Sequence, residues 1–194
     1  MTADPLPGPE PAERVRLFVA LELPGAVREA LERWGARALQ GLEGARAIAS
    51  SDLHATLCFL GWRSSDEVEQ IRDACGVLTA YPAPELRVGA ATRLPPRRPR
   101  VLAVELHDAS GALARAQSAL SEVLETGGWY QPEERPHLAH VTVARFGRGT
   151  RVPRRSLPDP PELTFRASRV SLYRSRLLRS GARYEALASV TLAG

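Results

Sequence analysis

The chain has 194 residues, of which 44% are hydrophobic and 25% are charged, a profile typical of a soluble globular protein of one domain or two small lobes. No apolar run approaches the roughly 18 residues that span a bilayer, and the amino terminus lacks a signal-peptide pattern, so we expect a cytoplasmic protein without membrane association. All 26 basic residues are arginine and the formal net charge is +4. A polyanionic partner would suit this charge, although a GC-rich genome is the simpler explanation of the arginine bias.

Hydrophobic periodicity predicts an α+β chain behind a flexible, Pro-rich leader at residues 1–13. Strands are predicted where apolar and polar residues alternate, and helices where apolar residues recur at helical spacing. The helix at 64–78 opens on a capping-box signature, Ser64 with Glu67. In chain order, the predicted elements are a strand at 15–23, a helix at 26–42, strands at 46–49 and 53–60, a helix at 64–78, strands at 85–93 and 101–106, a helix at 110–126, and strands at 138–146, 163–174 and 183–192.

Two of the predicted strands carry the same His-x-Thr motif. His54 and Thr56 begin the first copy, His140 and Thr142 begin the second, and in both copies a glycine follows the histidine by seven residues. Since residues i and i+2 of a strand point to the same side, each copy presents an imidazole and a hydroxyl to one surface. A single His-x-Thr would be an ordinary strand pair, but two matching copies among four histidines favour function. The repeat also predicts two lobes related by a rough internal twofold.

Two histidines and two threonines that face one space suit acid–base chemistry on a phosphate. The pKa of histidine lies close to neutral pH, so one imidazole can activate a water molecule while the other protonates the leaving oxygen. The hydroxyls of Thr56 and Thr142 would donate hydrogen bonds to the non-bridging oxygens, where charge develops. We expect no metal and no other cofactor if an arginine supplies the positive charge.

Metal-dependent phosphodiester cleavage is the alternative, and it needs carboxylates beside the histidines. Asp52 precedes His54 by two residues and would either orient it or end a turn. His107-Asp108 resembles a fragment of a metal-binding pair, but an ordinary loop is the simpler interpretation. His137 is three residues from His140, so on a strand it would face the other side.

The remaining chemically distinctive residues are two cysteines and a set of arginines. Cys58 and Cys75 have no CxxC spacing and predict neither a disulfide framework nor a zinc site. Unbroken alternation would place Cys58 on the face of His54, although burial is the simpler expectation. One arginine cluster comprises Arg93, Arg97, Arg98 and Arg100.

The duplicated motif resembles the signature of the 2H phosphoesterase superfamily and, more narrowly, of the RNA 2′,3′-cyclic phosphodiesterase family, also called 2′-5′ RNA ligases. The resemblance extends over nearly the whole chain beyond the leader, in the segments 16–21, 52–61, 135–145, 170–175 and 183–184. It implies a single bilobed α+β domain over 14–194, in which antiparallel sheets line a central cleft and the helices lie outside. It also implies a monomer whose partner is RNA with a cyclic phosphate end.

The resemblance further implies hydrolysis of a 2′,3′-cyclic phosphate to a 2′-phosphate, with reversible 2′-5′ RNA joining as a weak side activity. His54 and His140 would be the catalytic pair, with His54 as the acid and His140 as the base. Arg145 would contact the phosphate. Strict alternation puts Arg145 opposite His140, so this contact requires the strand to end or bulge after Ala144.

Three further residues are candidates for substrate contact. Phe18 and Tyr173 could stack on a base, although a core position fits each at least as well, and Arg174 beside Tyr173 could hold phosphate. Two other functions stay open. One is a phosphodiesterase for a small cyclic nucleotide or a 2′-5′ oligonucleotide, and the other is a non-catalytic RNA-binding protein of the same fold.

Overall fold

Nine strands and three α-helices form within residues 13–147, 149–150, 152, 156–178 and 181–194, which the computed structural model describes. The helices are α1 (Gly25–Ala38), α2 (Val68–Ala74) and α3 (Ala112–Thr126), with short 3₁₀ turns at Ser50–Asp52, Ser65–Glu67 and Cys75–Ala80. The strands are β1 (Arg14–Glu22), β2 (Ala45–Ala47), β3 (His54–Ser64), β4 (Glu85–Leu94), β5 (Val101–His107), β6 (His140–Phe146), β7 (Thr164–Arg166), β8 (Arg169–Leu178) and β9 (Gly181–Thr191).

The strands pair antiparallel in the order β7-β4-β5-β6-β3-β1-β8-β9, with β2 beside β6. The two strands that carry His-x-Thr, β3 and β6, are therefore the middle pair. Exchanging β3 with β6 in this order also exchanges β1 with β5, β8 with β4 and β9 with β7. This arrangement confirms the predicted α+β fold with antiparallel strands and an internal duplication.

The middle strands separate soon after they meet. Ala55 pairs with Val141, but further along β6 the residues Ala144 to Phe146 pair with β2 instead. A cleft therefore opens between the two halves of the sheet beside the histidines.

The helices cover one face of the sheet and leave the other face to the site. Leu31 and Trp34 of α1 and Leu120 and Leu124 of α3 are fully buried, in the core that fills the helical side. The indole Nε1 of Trp34 donates a hydrogen bond to the carbonyl of Pro158 at 3.1 Å, which satisfies its polar atom in this apolar setting. Among the described helices, none is both long and apolar enough to cross a membrane.

Several predicted elements have different bounds in the structure. The predicted helix at 64–78 is an α-helix only over α2, with 3₁₀ turns before and after it, and the strand predicted at 53–60 continues to Ser64. Helix α1 stops at Ala38 rather than at residue 42, because Gly41 lies in the left-handed region at φ 69°, while Leu42 still packs on the core beyond the helix. The predicted strand 163–174 is two strands. Strand β7 pairs with β4 at one end of the sheet and β8 pairs with β1 in the other half, so the chain must break its pairing to cross between them.

The predicted capping box and the predicted leader can both be compared with the structure. The capping box of Ser64 and Glu67 is present, with the Glu67 carboxylate accepting from the Ser64 amide at 2.7 Å. Of the predicted leader, residues 1–12 lie outside the described residues. Glu13 belongs to the fold, since its carbonyl accepts from the amide of Ser65 at 2.7 Å.

Candidate active site

The four residues of the duplicated motif lie together on the open face of the middle strands. His54, Thr56, His140 and Thr142 are all half-buried. The pairing of Ala55 with Val141 sets an antiparallel register that brings His54 level with Thr142 and Thr56 level with His140. The two histidines are then diagonal neighbours, for which the ordinary separation is about 7–8 Å. Each histidine thus lies beside the threonine of the other motif, as the sequence predicted for one shared surface.

Both imidazoles are held in the same way by the backbone. Nδ1 of His54 is 2.8 Å from the carbonyl oxygen of Asp52, and Nδ1 of His140 is 2.8 Å from the carbonyl oxygen of Leu138. Since a carbonyl only accepts, Nδ1 carries the proton in each ring, and Nε2 is the basic nitrogen of the neutral form. It is the backbone of Asp52, rather than its carboxylate, that orients His54.

The surroundings of His54 hold it neutral in the substrate-free protein. Burial lowers the pKa of His54 from its ordinary 6.5 to about 4, because the imidazolium loses solvation. The hydrogen bond to the Asp52 carbonyl opposes this change, and the positive charges of Arg145 and His140 add to it. His54 therefore needs an anion nearby before it can hold a proton at neutral pH.

Aromatic rings cover His54 on its apolar sides. Phe18 stacks on His54 with ring centroids 4.8 Å apart, and Tyr184 meets His54 edge-on at 5.2 Å. Tyr173 stacks on Phe18 at 5.1 Å. With 3% of its surface exposed, Phe18 is buried. Its ring packs against His54 at the wall of the cavity, and a contact between Phe18 and substrate stays a prediction.

Tyr173 and Tyr184 have different positions in this aromatic group. Tyr173 is half-buried, and burial raises the pKa of its hydroxyl, with the charge of Glu22 adding to the effect. Tyr184 lines the cavity that contains His54, whereas Tyr173 is not among the residues of that cavity. Tyr184 was not predicted as a site residue, although it lies on the same face of the sheet as its pairing partner Ser175.

A β-bulge at the same place in each motif changes which residues face the site. Leu57 is an extra residue in β3 opposite β1, and Val143 is an extra residue in β6 opposite β5. Each bulge reverses the alternation that follows it. Arg145 consequently turns to the open face that carries His140, through a bulge just before Ala144 rather than after it.

The first bulge has the matching effect on β3. Cys58, which unbroken alternation would place on the site face, is buried on the core side, and Phe59 is 48% exposed on the open face. Phe59 therefore occupies in the first motif the position that Arg145 occupies in the second, five residues after the histidine. The sequence does not mark a bulge of this kind, so Phe59 was not predicted.

A second arginine, which the sequence analysis did not select, lies on β1 in the same cavity. The guanidinium of Arg16 donates to the hydroxyl of Ser175 at 2.9 Å and lies 4.5 Å from the centre of the Phe59 ring. The cavity has a volume of about 210 Å³ and is lined by Arg16, Phe18, His54, Thr56, Phe59, Arg145, Ser175 and Tyr184. Alternation along β1 puts Arg16 on the same face as Phe18, and this pattern could have predicted Arg16 as a site residue.

Arg174 is not among the residues that line this cavity, so the structure gives its suggested contact with phosphate no support. It lies next to Tyr173 on β8, so it points to the opposite side of the sheet. There it forms an ion pair with Glu13.

The other histidines have local structural contacts. Nε2 of His137 is 2.9 Å from the carbonyl oxygen of Thr56, which ties the segment before β6 to β3. His107 ends β5 rather than lying in a loop, and the Asp108 carboxylate accepts from the amide of Leu113 at 2.8 Å in the first turn of α3, so neither residue has a role that requires a metal. Within the described residues, no group of three or more His, Cys, Asp or Glu side chains could hold a metal ion.

In the predicted arginine cluster, Arg93 belongs to β4, and the other three arginines lie in the loop between β4 and β5. Arg97, Arg98 and Arg100 are exposed there. The carbonyl of Arg100 accepts from the amide of Phe146 at 2.8 Å, so this loop joins the end of β6 that carries Arg145.

Comparison with known proteins shows which families and proteins this chain resembles. A family model described as the 2′-5′ RNA ligase superfamily matches residues 23–177. The chain is 28% identical over 134 residues to an RNA 2′,3′-cyclic phosphodiesterase of Archaeoglobus fulgidus, covering 69% of this chain and 74% of that protein. It is 27% identical over 177 residues to an RNA 2′,3′-cyclic phosphodiesterase of Escherichia coli, covering 91% of this chain and 96% of that protein.

The fold agrees with solved structures over nearly the whole chain. The crystal structure of Escherichia coli LigT complexed with 3′-AMP superposes with a TM-score of 0.79 at 26% identity, covering 93% of this chain and 99% of that one. The crystal structure of TT0787 of Thermus thermophilus gives a TM-score of 0.78 at 26% identity, covering 91% and 97%.

Proposed function

The chain belongs to the 2′-5′ RNA ligase superfamily, and we propose that it hydrolyses the 2′,3′-cyclic phosphate ends of RNA to 2′-phosphate ends by metal-independent acid–base catalysis. One observation carries the proposal. His54 and His140 lie on the paired middle strands, close enough for the charge of His140 to lower the pKa of His54, and both have Nδ1 bonded to a backbone carbonyl, which leaves Nε2 as the basic nitrogen of each ring. The names of the relatives, RNA 2′,3′-cyclic phosphodiesterases, support the choice of substrate.

The two imidazoles divide the proton transfers of the reaction. A water oxygen attacks phosphorus while Nε2 of His140 takes the proton of that water. The bond from phosphorus to O3′ breaks, and Nε2 of His54 gives a proton to O3′, which leaves the product with a 2′-phosphate. The two histidines come from different strands, which allows them to stand on opposite sides of phosphorus.

The acid role of His54 depends on the substrate. His54 is neutral in the free protein because burial and the charges of Arg145 and His140 lower its pKa to about 4. A bound phosphate anion offsets those charges and raises the pKa, so the proton that O3′ receives is taken up with the substrate. If the pKa of His54 stays low with substrate bound, the two histidines exchange roles.

The remaining groups stabilise the negative charge of the transition state. The hydroxyls of Thr56 and Thr142 donate to the non-bridging oxygens, and the guanidinium of Arg145 provides the positive charge that a metal would otherwise supply. The same arrangement supports weak 2′-5′ joining. In that reaction a 5′-hydroxyl of RNA takes the place of water and attacks the cyclic phosphate.

The test is hydrolysis of a short RNA with a 2′,3′-cyclic phosphate end in excess EDTA. We expect a 2′-phosphate product, and a loss of kcat of about 10²- to 10⁴-fold in His54→Ala and in His140→Ala. His107→Ala is the matched control, since His107 ends β5 at an exposed position and lines a different cavity. Full activity in either motif variant would overturn the mechanism.

The same assay separates the other functions. Faster turnover of a cyclic mononucleotide or a 2′-5′ oligonucleotide than of the cyclic-ended RNA would make the small molecule the substrate. Tight RNA binding without turnover of any phosphodiester would identify a binding protein.

A further inference from the structure

A second cavity adjoins the catalytic one at the end of the cleft. Its volume is about 240 Å³, and it shares two lining residues, Arg145 and Tyr184, with the cavity that contains His54. Beyond these two, its wall includes Arg46, Ser51, Asp52 and Gly181. A ligand that occupies the catalytic cavity can therefore continue into this one past Arg145.

This wall contains three arginines, Arg46, Arg145 and Arg183, and the first two lie side by side. Arg46 of β2 is the pairing partner of Arg145 of β6, so both side chains project from the same face of the sheet. Among the described residues that line the cavity, Asp52 provides the one carboxylate. An anion between the two guanidinium groups would interact with both positive charges.

The chain holds Arg46 against the other half of the molecule. Gly181, at the start of β9, has φ 126°, and a Cβ atom at that position would collide with the Arg46 guanidinium. The guanidinium thus lies directly on the backbone of Gly181, and only a glycine permits this approach. Arg46 is positioned in advance by residues of both halves, which reduces the entropy lost when it binds a ligand.

We propose that Arg46, together with Arg145, binds the phosphate on the 5′ side of the terminal nucleotide. This inference rests on the proposed function, which puts the cyclic phosphate between His54 and His140. The next phosphate of such an RNA is the one on O5′ of the same nucleotide, and planar guanidinium groups suit it. The protein would consequently prefer RNA ends, or a nucleotide with a 5′-phosphate, over a cyclic nucleoside monophosphate.

A comparison of three substrates measures the effect of the second phosphate on kcat/KM. They are adenosine 2′,3′-cyclic phosphate, the same compound with a 5′-phosphate, and the dinucleotide ApA with a 2′,3′-cyclic end. We expect kcat/KM to be about tenfold higher for the second and third than for the first, as one charge-assisted contact provides. A dinucleotide with an uncharged methylphosphonate linkage should lose this preference, since it keeps the second base but not the charge.

Variants of Arg46 test whether this residue causes the preference for a 5′-phosphate. In Arg46→Gln the ratio of kcat/KM between the 5′-phosphorylated and unphosphorylated substrates should fall close to one, and Arg46→Lys should retain part of it. Arg166→Gln is the matched control, because Arg166 is also exposed in a three-residue strand but lies on β7 in the other half of the sheet. Thermal unfolding of each variant shows whether the fold is intact.

Product binding tests the inference without turnover. The wild-type protein should bind adenosine 2′,5′-bisphosphate about tenfold more tightly than adenosine 2′-monophosphate, and Arg46→Gln should bind the two almost equally. Equal affinities in the wild type, or an unchanged difference in Arg46→Gln, would overturn the second phosphate site. Loss of hydrolysis of all three substrates would instead count against the proposed function, and the binding comparison would still decide the role of Arg46.

Discussion

The ring of Phe18 lies against the ring of His54, with centroids 4.8 Å apart and 30° between the planes. Tyr173 covers the other side of Phe18 at 5.1 Å. Phe18 is 3% exposed, so the core fixes its position and, through it, the position of the imidazole. The packing of β1 against β8 is therefore connected directly to the orientation of a proposed catalytic group.

Replacing Phe18 with leucine should alter both the placement and the titration of His54. We expect kcat to fall about tenfold with little change in KM, because misplacement affects proton transfer more than binding. We also expect the pKa of His54 to rise from about 4 toward 6.5, because water would reach the imidazole where the aromatic face now excludes it. Steady-state kinetics and an NMR titration of the imidazole measure the two effects.

Phe165→Leu is the matched control for that variant. Phe165 is buried on β7, in the half of the sheet that lacks His54. Phe165→Leu should lower the free energy of unfolding by a comparable amount without changing the pKa of His54. An unchanged His54 pKa in Phe18→Leu would contradict the role given to Phe18.

The lowered pKa of His54 predicts a dependence of stability on pH. Between the folded value of about 4 and the ordinary 6.5, the unfolded chain binds a proton at this position and the folded chain does not. Protonation of the unfolded state then favours unfolding, so the free energy of unfolding falls as the pH decreases through this window. Between pH 7 and pH 5 this one group should cost about 1–2 kcal/mol.

Urea unfolding of the wild type and of His54→Gln at the two pH values measures this contribution. The decrease in unfolding free energy on acidification should be smaller in His54→Gln, because glutamine does not titrate. His107→Gln serves as the control, since it removes a histidine from an exposed position on another strand. An equal pH dependence in the wild type and His54→Gln would show that His54 titrates normally.

An anion in the cleft should raise the pKa of His54. Sulfate imitates the non-bridging oxygens of the substrate and keeps its charge over this pH range. Because sulfate offsets the charges of Arg145 and His140, its binding should take up a proton, and its affinity should rise as the pH falls from 7 to 5. Calorimetry in buffers of different ionisation enthalpy measures the proton uptake, which His54→Gln should reduce.

Proton uptake that is unchanged in His54→Gln would assign the proton to another group. His54 would then act as the base of the reaction, and His140 would be the acid. This measurement thus decides between the two assignments of roles without relying on turnover.

The paired motif, the antiparallel α+β fold and most strand positions could be predicted from the sequence, because each depends on alternation within a few residues. The orientation of residues beyond Leu57 and Val143 could not, because both bulges break that alternation and an ordinary apolar residue occupies each of them. For this reason Cys58 lies on the core side and Phe59 on the open side, the reverse of what a regular strand would give.

The burial of Phe18 could not be predicted for another reason. Whether an aromatic side chain on β1 is covered depends on β8 and β9, which are distant in sequence.

The bulge in β3 predicts which positions of this strand react with a thiol reagent. Burial raises the pKa of Cys58 to about 12 and that of Cys75 to about 12, so iodoacetamide should leave both unmodified in the folded protein at pH 8. In Phe59→Cys one thiol should be modified rapidly, because position 59 is on the open face beside the guanidinium of Arg16. Mass spectrometry counts the modified thiols.

The difference in reactivity between the thiols at positions 58 and 59 tests the bulge specifically. Rapid modification of Cys58 in the wild type would mean that β3 alternates without a bulge. Sulfate or a 2′-nucleotide should slow the modification at position 59, since this position lines the same cavity as His54.

The carbonyl groups freed by the two bulges are both hydrogen-bonded. The carbonyl of Val143 accepts from the amide of Ile48 at 2.9 Å, and the carbonyl of Leu57 accepts from Nε2 of Gln117 on α3 at 3.4 Å. Gln117 is 8% exposed and Leu57 is 2% exposed, so water cannot easily replace this contact. Gln117 is therefore the side chain that supports the first bulge from the helical side.

Gln117→Met keeps the volume of the side chain but leaves the Leu57 carbonyl without this donor. We expect the free energy of unfolding to fall by about 1 kcal/mol. This is at the low end of the cost of leaving a buried acceptor without its donor, because the hydrogen bond is long. We also expect a several-fold decrease in kcat/KM, since Thr56 lies next to the bulge. Gln70→Met, at an exposed position of α2, should change the stability by less than about 0.5 kcal/mol. A Gln117→Met protein with unchanged kcat/KM would show that β3 keeps its bulge without the help of α3.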